Sequence, residues 1–523
     1  MSFTRRRFVA TGAAAIGTAA LPLSSARPAA RYRRYNVMSP RGQEMLKTLQ
    51  VAIGSLHNTQ EWPITSPLNM YRYALIHTMD CPHGNWWFMP WHRAYTGYFE
   101  QICRKVTKVD DFTIPYWDWS TLSRVPDSMY EPFLTPITTG FIPTFDDFYK
   151  IFAGQIDAMY KGFTPDQNAQ LKIRNYGTSA DMWKDIKDPP NGPMFFNLPK
   201  ARGLKKGQEL DEFTKLSSSK TQTILSLSPA DFVTFGSSKA THHSDMVGFG
   251  PVEMFPHNKI HNCVGGIVYS IAGQKIADNG GFMQANLSPV DPVFFLHHSN
   301  MDRLWDIWTR KQIAYGKPTT PQGADKDAWE KEPFLFFTDA NGTIAPRTAG
   351  QFVDIGDFAY DYEPGTGEEV IPKQVVAAKA PTAAVATQAH IVSGTLGAPA
   401  PASAQFSLPA APAAGETLFA KIALDIPPGG TSATYKVLLN APKNAKNIGP
   451  GDPHFVEMIS FFGHDMMSGR ISVIVPLPAK NGALAAGQSH LLSVVAETGG
   501  GGHLMAMKGG GEAKLVSVDI LSQ

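Results

Sequence analysis

Three stretches of this 523-residue chain carry histidines at spacings that suit metal binding. His83 and His92 stand nine positions apart in DCPHGNWWFMPWHRAYTGYFE, with Cys81 two residues before the first. His257 and His261 are four apart in HNKIH, and His297 and His298 are adjacent in DPVFFLHHSNMDRLW. Neutral imidazole is a ligand for Zn, Cu, Fe and Ni. Residues four apart share one face of a helix, so HNKIH presents two ligands together. A zinc protease with that spacing needs Glu after the first His as its base, and this chain has Asn258 there.

Adjacent helical residues point about 100° apart, so only one of His297 and His298 faces a given site. Phe294 precedes His298 by four, as Phe88 precedes His92. The matched pairs select His298 as ligand and leave His297 to packing or support. Asp302, one turn further on, is placed to orient a neighbouring imidazole. The expected ligands are His77, His83 and His92 for one ion, and His257, His261 and His298 for a second. His57 is the rival to His77, although its stretch, SLHNTQEW, reads more simply as a surface loop. An imidazole set without carboxylates argues against Mg, Mn and di-iron carboxylate centres, and fits two copper ions that share one diatomic ligand or substrate oxygen.

Five helices would position these residues. Ser39–Ser55 has Ser39 as a potential N-cap and Pro40 at the first helical position. Pro67–Met79 contains His77, Pro90–Val106 contains His92, Pro256–Cys263 carries the HNKIH pair, and Pro292–Lys311 is strongly amphipathic. Ile114–Ser120 (IPYWDWS) reads as an aromatic loop. From Thr121 to about Ser244 the chain is punctuated by Pro and Gly, with short helices such as Phe145–Met159. So long an irregular middle is uncommon unless it lines a site.

At this length more than one domain is expected. The net charge of +2 offers no electrostatic footprint for nucleic acid. No apolar run after the N-terminal segment is long enough to span a membrane, and three cysteines cannot form a disulfide framework. Residues 1–30 have a basic block, Arg5–Arg7, an Ala/Gly-rich apolar run and a small-residue tail, the anatomy of an export signal. Thr4–Val9 resembles a twin-arginine signal, which implies a bacterial protein exported to the periplasm or beyond. Residues 31–365 form the expected helical metal domain. Residues 366–402 are an Ala/Pro-rich linker passing into an edge strand. Residues 403–523 alternate apolar and polar positions in TYKVLLNA, RISVIVPL, HLLSVVAE and AKLVSVDIL, a β-sandwich pattern. The fold class expected is a mainly α domain, a four-helix bundle with long loops around a dinuclear site, followed by an all-β sandwich-like domain. The Gly499–Gly502 and Gly509–Gly511 runs read as loops, and Cys103 and Cys263 as core thiols.

The stretches CPHGNWWFMPWHRAYTGYFE, HNKIHNCVGG and DPVFFLHHSNMDRLWDIW, with IPYWDWS between them, resemble the CuA and CuB signatures of the type 3 copper proteins: tyrosinases, catechol oxidases and haemocyanins. FVDIGDFAYDYEP resembles the tyrosine motif that closes the catalytic domain of plant polyphenol oxidases, for which Arg33 or Arg34 would be the partner. The β-region is similar to the C-terminal domain of those enzymes. The resemblance implies His77, His83 and His92 at CuA and His257, His261 and His298 at CuB. It implies O2 as co-substrate, small phenols as substrates, ortho-hydroxylation of monophenols and oxidation of o-diphenols to o-quinones. Cys81 would carry a thioether bond to His83. Glu253 and Asn258 would hold a water that deprotonates an incoming phenol, which needs a base because its pKa is about 10. The C-terminal domain would cover the site until displaced or removed by an activating protease, with Phe461 or Phe462 as a plug or, more simply, as sandwich core. An oxidase limited to catechols or o-aminophenols, an O2 carrier, and a homo-oligomeric assembly stay open at this stage.

Overall fold

The computed structural model describes residues 30–522 outside residues 59, 64, 137–140, 143, 188–201, 211–219, 266–269, 272–273, 276–280, 374–386, 395, 397–400, 413–415, 428–433, 443–447, 450, 460, 462–468, 479–483 and 498–512. The export-signal reading, Phe462, both glycine runs and much of the expected linker lie outside the described residues.

Helix α1 (Pro40–Leu56) starts as its sequence predicts: Ser39 Oγ accepts the Gly42 amide at 3.1 Å and Pro40 takes the first helical position. Helix α2 (Met70–Asp80) starts later than Pro67. Asn69 Oδ1 accepts the Tyr71 amide at 3.0 Å, and that cap, not the proline, sets the boundary. Helix α3 (Phe88–Thr107) begins two residues before Pro90. The helix expected over Pro256–Cys263 is two pieces. A π-type turn, Glu253–His257, contains Pro256 and runs into α4 (Asn258–Gly265). Proline has no amide to donate and crowds the preceding turn, which favours the wider coil. Helix α5 (Val293–Ala314) is buried along most of its length. It packs on α3 through Phe99 and Phe295, whose rings stack 3.7 Å apart.

A short strand, β1 (Tyr32–Arg34), and a late one, β3 (Tyr360–Tyr362), pair in parallel and close the helical domain. Arg33 forms an exposed pair with Asp361, while Arg34 is wholly buried and lies 3.7 Å from the Tyr360 ring centroid. Arg34 is therefore the cation inside the tyrosine motif.

Strand β2 (Gly248–Phe249) lies just before the second histidine pair. The later strands are β4 (Thr387–Gln388), β5 (His390–Ser393), β6 (Ala402–Ser407), β7 (Leu418–Ile426), β8 (Thr434–Leu439), β9 (Phe455–Ile459), β10 (Gly469–Pro476), β11 (Ser489–Glu497) and β12 (Lys514–Ser522). Among the described residues they form two five-stranded sheets, ordered β9-β8-β11-β6-β5 and β2-β10-β7-β12-β4. Strands β4 and β5 arise in the stretch read as linker passing into an edge strand, and each takes a sheet edge. The sandwich core is one cluster that also takes in Phe249, Met254 and Phe255 from the helical region. Strand β2 pairs in parallel with β10, Ser472 opposite Gly248 and Val473 opposite Phe249. The segment leading into the second histidine pair is thus built into the β-domain.

Candidate metal centre

His77 sits in the last turn of α2, His83 on the loop that follows, and His92 one turn into α3. Ligand atoms of His77, Cys81, His83 and His92 all lie within 4.8 Å of one another, as do those of His257, His261, His297 and His298. Every one of these side chains is buried. The two groups adjoin: His92 and His298 stack in parallel at 4.1 Å between ring centroids, and His83 faces His257 at 5.7 Å. All six expected ligands are present, three in each group. His57 belongs to neither. It is not on a surface loop but packed on Tyr71 and Phe141, because α1 ends there and turns it inward.

The hydrogen bonds assign the tautomers. His77 Nδ1 lies 2.7 Å from the Asn286 carbonyl, His92 Nδ1 2.8 Å from that of Phe88, and His261 Nδ1 2.6 Å from that of Met283. A carbonyl only accepts, so each Nδ1 carries the proton and each Nε2 is left as a lone pair. His257 Nδ1 is held in the same way by Asn258 Oδ1 at 2.9 Å. Lone pairs then converge. His77 Nε2 is buried without a partner, and His261 Nε2 stands 3.2 Å from His298 Nε2. Burial also keeps the rings neutral, pushing His92 and His261 down to about 3 and His77, His83, His257 and His298 well below the usual range. Neutral imidazoles, with His77, His92, His257 and His261 oriented to leave Nε2 as a lone pair, form a site that a cation completes. This donor set fits copper.

Phe88 and Phe294 each lie one turn from a ligand on their own helix, at 4.5 Å from His92 and 4.1 Å from His298 between centroids. Each also crosses to the other group: Phe88 packs on His257 at 4.6 Å and Phe294 on His77 at 5.1 Å. The two half-sites are therefore locked together by reciprocal aromatic contacts. His297 comes closer to the second group than its helical position implies. It stacks on His257 at 5.3 Å and against Trp119 at 5.1 Å.

Asp302 corrects one expectation. It orients no imidazole. Its oxygens accept from Arg93 Nε at 2.6 Å, Arg34 Nη1 at 3.4 Å, Tyr360 Oη at 2.5 Å and Tyr362 Oη at 2.6 Å. Burial would raise its pKa, but Arg93 and Arg34 outweigh burial and hold it below the ordinary carboxylate value. The physical reason is charge: two buried arginines, Arg34 and Arg93, need a counter-ion, and Asp302 is taken up by them.

Glu253 and Asn258 diverge in role. Asn258 supports His257, as above. Glu253 is fully buried; its Oε1 accepts the Gly84 amide at 2.8 Å and its Oε2 accepts from Ser237 Oγ. Gly84, next to His83, has φ +60°, and an added Cβ would come within 2.7 Å of Met246, so glycine is required for this amide to reach the carboxylate. Glu253 thereby ties the His83 loop to the turn that carries His257. Burial, opposed by these two donors, pushes its carboxyl up to about 8. Cys81 Sγ lies 3.8 and 3.7 Å from the two ring nitrogens of His83, facing the ring carbon between them, and 3.3 Å from His92 Nε2. Phe461 is no plug. Its ring belongs to the sandwich core beside Phe249 and Tyr435, while its carbonyl accepts from Asn262 at 3.0 Å.

Sequence reasoning missed two contacts around this site. Lys259, between His257 and His261, forms a buried ion pair with Glu457 on β9, which also accepts from Gln222. Ser237 is the other, with φ +84° in a buried turn. An uncompensated lysine two residues from each ligand was the available signal for the first. Nothing in the sequence marked the second.

Residues 51–311 match the common central domain of tyrosinase. A chloroplastic polyphenol oxidase II of Ipomoea batatas is 26% identical over 322 residues, 58% of this chain and 45% of that protein. A tyrosinase of Hahella sp. (strain CCB-MM4) is 23% identical over 282 residues, 50% of this chain and 43% of that protein. The matched segments thus span less than half the length of these curated relatives. The structure of latent apple tyrosinase superposes with a TM-score of 0.57 at 16% identity, covering 95% of this chain and 98% of that one, a likeness of fold.

Proposed function

The chain belongs to the tyrosinase and polyphenol oxidase family of dicopper proteins, and from that premise we propose that it is an oxidase of small phenols, ortho-hydroxylating monophenols and oxidising o-diphenols to o-quinones with O2. The observation that carries this reading is the pair of adjoining, buried histidine clusters in which backbone carbonyls orient His77, His92 and His261. His77, His83 and His92 would hold one copper ion and His257, His261 and His298 the other. When bound, the copper pair supplies the redox centre that activates dioxygen toward a phenol.

The remaining steps fall to the chain's own residues. Phe88 and Phe294 keep the pockets together and dry. Asn258 fixes the orientation of the His257 ring. Glu253 takes the phenolic proton at its carboxyl, directly or through a water held with Asn258. A carboxyl lifted toward neutrality is a stronger base than an ordinary one and better matched to a phenol. As pH rises, Glu253 loses its proton and the base becomes available. Bound cations pull its pKa down. Monophenol turnover should therefore climb with pH at a midpoint no higher than about 8, and Glu253→Gln should remove that limb. An oxidase confined to catechols is the second reading, favoured by the occupation of both Glu253 oxygens by Gly84 and Ser237.

The test is to add a simple monophenol, then a catechol, to the copper-loaded protein across this pH range, before and after a cut within residues 371–402. Quinone formation from both substrates supports the proposal; formation from catechol alone supports the second reading. A reversible oxygen band without turnover supports a carrier. In our reading the β-domain restrains the site, and the cut raises turnover once that domain separates. Unchanged turnover after clean separation would remove the restraint. A thioether between Cys81 Sγ and the facing carbon of His83 is a further part of the proposal. Forming that bond breaks the Cys81 S–H and the ring C–H, with O2 as the two-electron oxidant taking both hydrogens. Protein matured with copper under O2 should therefore weigh less than the unmatured chain by two hydrogen atoms, and Cys81→Ser should abolish the difference in intact-mass spectra.

A further inference from the structure

We propose that Ser237 is a positioning residue for Glu253, holding its carboxyl between the His83 and His257 segments so that the chain distinguishes monophenols from catechols. The inference rests on the reading of Glu253 as the base.

Ser237 follows a one-turn helix, Phe232–Phe235, and Gly236. It is wholly buried and has φ +84°. Residues other than glycine are uncommon there, and such outliers persist where the surroundings over-determine them. A glycine would suit this backbone better, so what serine adds is its hydroxyl. Both capacities of that hydroxyl are in use. It accepts the Gly250 amide at 2.9 Å and donates to Glu253 Oε2 at 2.5 Å. The first bond directs the second, because an oxygen that accepts from one side turns its proton to the other. The scaffold is tight: a Cβ on Gly250 would fall 2.5 Å from the Phe235 carbonyl oxygen and 2.8 Å from the Ser237 nitrogen. The strained residue, the close glycine and the carboxyl therefore form one rigid unit.

The opposite Glu253 oxygen takes the Gly84 amide, so the carboxyl is clamped from the His83 side and from the Ser237 side. The ionisable neighbour that feels its charge is the Cys81 thiol, on the loop packed across from it. A hydroxyl donor stabilises the charged carboxylate and favours proton release. Catechol oxidation depends less on this base, since a catechol brings a second hydroxyl and needs no new oxygen atom inserted. Loss of the Ser237 hydroxyl therefore falls selectively on monophenols.

The decisive variant is Ser237→Gly in the full chain, which removes the hydroxyl and relaxes the positive-φ backbone while leaving the Gly250 amide without this acceptor; an unchanged circular-dichroism spectrum confirms that it folds. The first measurement needs no turnover. The carbonyl stretch of the buried Glu253 carboxyl, assigned by its disappearance in Glu253→Gln, is titrated in the metal-free protein. The expected result is a midpoint raised by about one pH unit, a tenfold change in proton affinity. The second measurement uses copper-loaded protein: below the carboxyl midpoint kcat/KM for a monophenol should fall about tenfold, in step with the deprotonated fraction of Glu253, while catechol turnover falls far less. An unmoved carboxyl titration overturns the proposal, and so does an equal loss for both substrates. A moved titration in a chain whose wild type never turns over monophenols would instead defeat the proposed monophenolase activity and leave the positioning of Glu253 intact.

Discussion

Replacing Glu457 with Ala should destabilise the folded chain by about 3–5 kcal/mol, the usual result of leaving one member of a buried ion pair alone. Copper should then be lost from the His257–His261–His298 pocket before the other. Lys259 and Glu457 are both nearly inaccessible, with side-chain exposures of 4% and 0%, so the orphaned ammonium has no water to take the carboxylate's place. Lys259, on α4, stands two residues from His257 and two from His261, on the opposite side of the coil from them. To rehydrate its charge the helix would have to turn or lift, and that movement would carry His257 and His261 with it. Denaturant unfolding and copper stoichiometry, measured together, check the claim. A stoichiometry near one per chain with the first pocket occupied is the expected result. Two coppers per chain at full affinity would show that the β-domain does not hold this pocket. Replacing both partners with Met should recover most of the stability, because apolar substitutes for a buried pair are often well tolerated.

Asp302→Ala is expected to have an effect of similar size by a different route. This carboxylate receives two arginines and two tyrosine hydroxyls from β1, α3 and β3. Removing it leaves Arg93 without an ion-pair partner and Arg34 with Glu100 alone. We expect a loss of about 3–5 kcal/mol and easier release of β1 from β3. The release would be seen as faster amide exchange over Tyr32–Arg34. Arg93 follows His92 directly, and Asp302 is one turn beyond His298. The variant should therefore also loosen both helices at their ligands, lowering copper retention at both pockets by similar factors. Asp302→Asn should be milder, since an amide still accepts from the tyrosines. Loss from a single pocket would contradict a role shared by the two helices.

Part of the histidine clustering was legible because helix periodicity is local. His257 with His261, and the matched Phe88–His92 and Phe294–His298 pairs, are spaced by one helical turn, so the sequence itself displays which side chains share a face. The sandwich was legible for the same reason, through alternation in strands such as β10 and β12. Helix starts were less so, because a capping asparagine at Asn69 and a proline at Pro67 are competing signals that only backbone geometry resolves. The network at Asp302 was misread because its donors Arg34 and Tyr360 are brought in by strands far away in sequence. The turn at Ser237 could not be read at all. Its role depends on a positive φ and on the approach of Gly84, 153 positions earlier, and neither leaves a pattern in the residues alongside.

The pairing of Gly248–Phe249 with the β10 strand has a consequence for the order in which the molecule is made. The sheet that receives this segment has β12, the last strand of the chain, inside it rather than at its edge. During synthesis the second histidine pair leaves the ribosome well before strands β9 and β10, which complete its surroundings. Until those strands arrive, Phe249, Met254 and Phe255 have no core to enter and Lys259 has no partner. The first pocket's contacts, to Glu253, Asn286 and Phe294, also reach far along the chain but end within the helical domain, so they can form earlier. Maturation should therefore run in two stages, an early site and a late one, with strands β9 and β10 setting the later step.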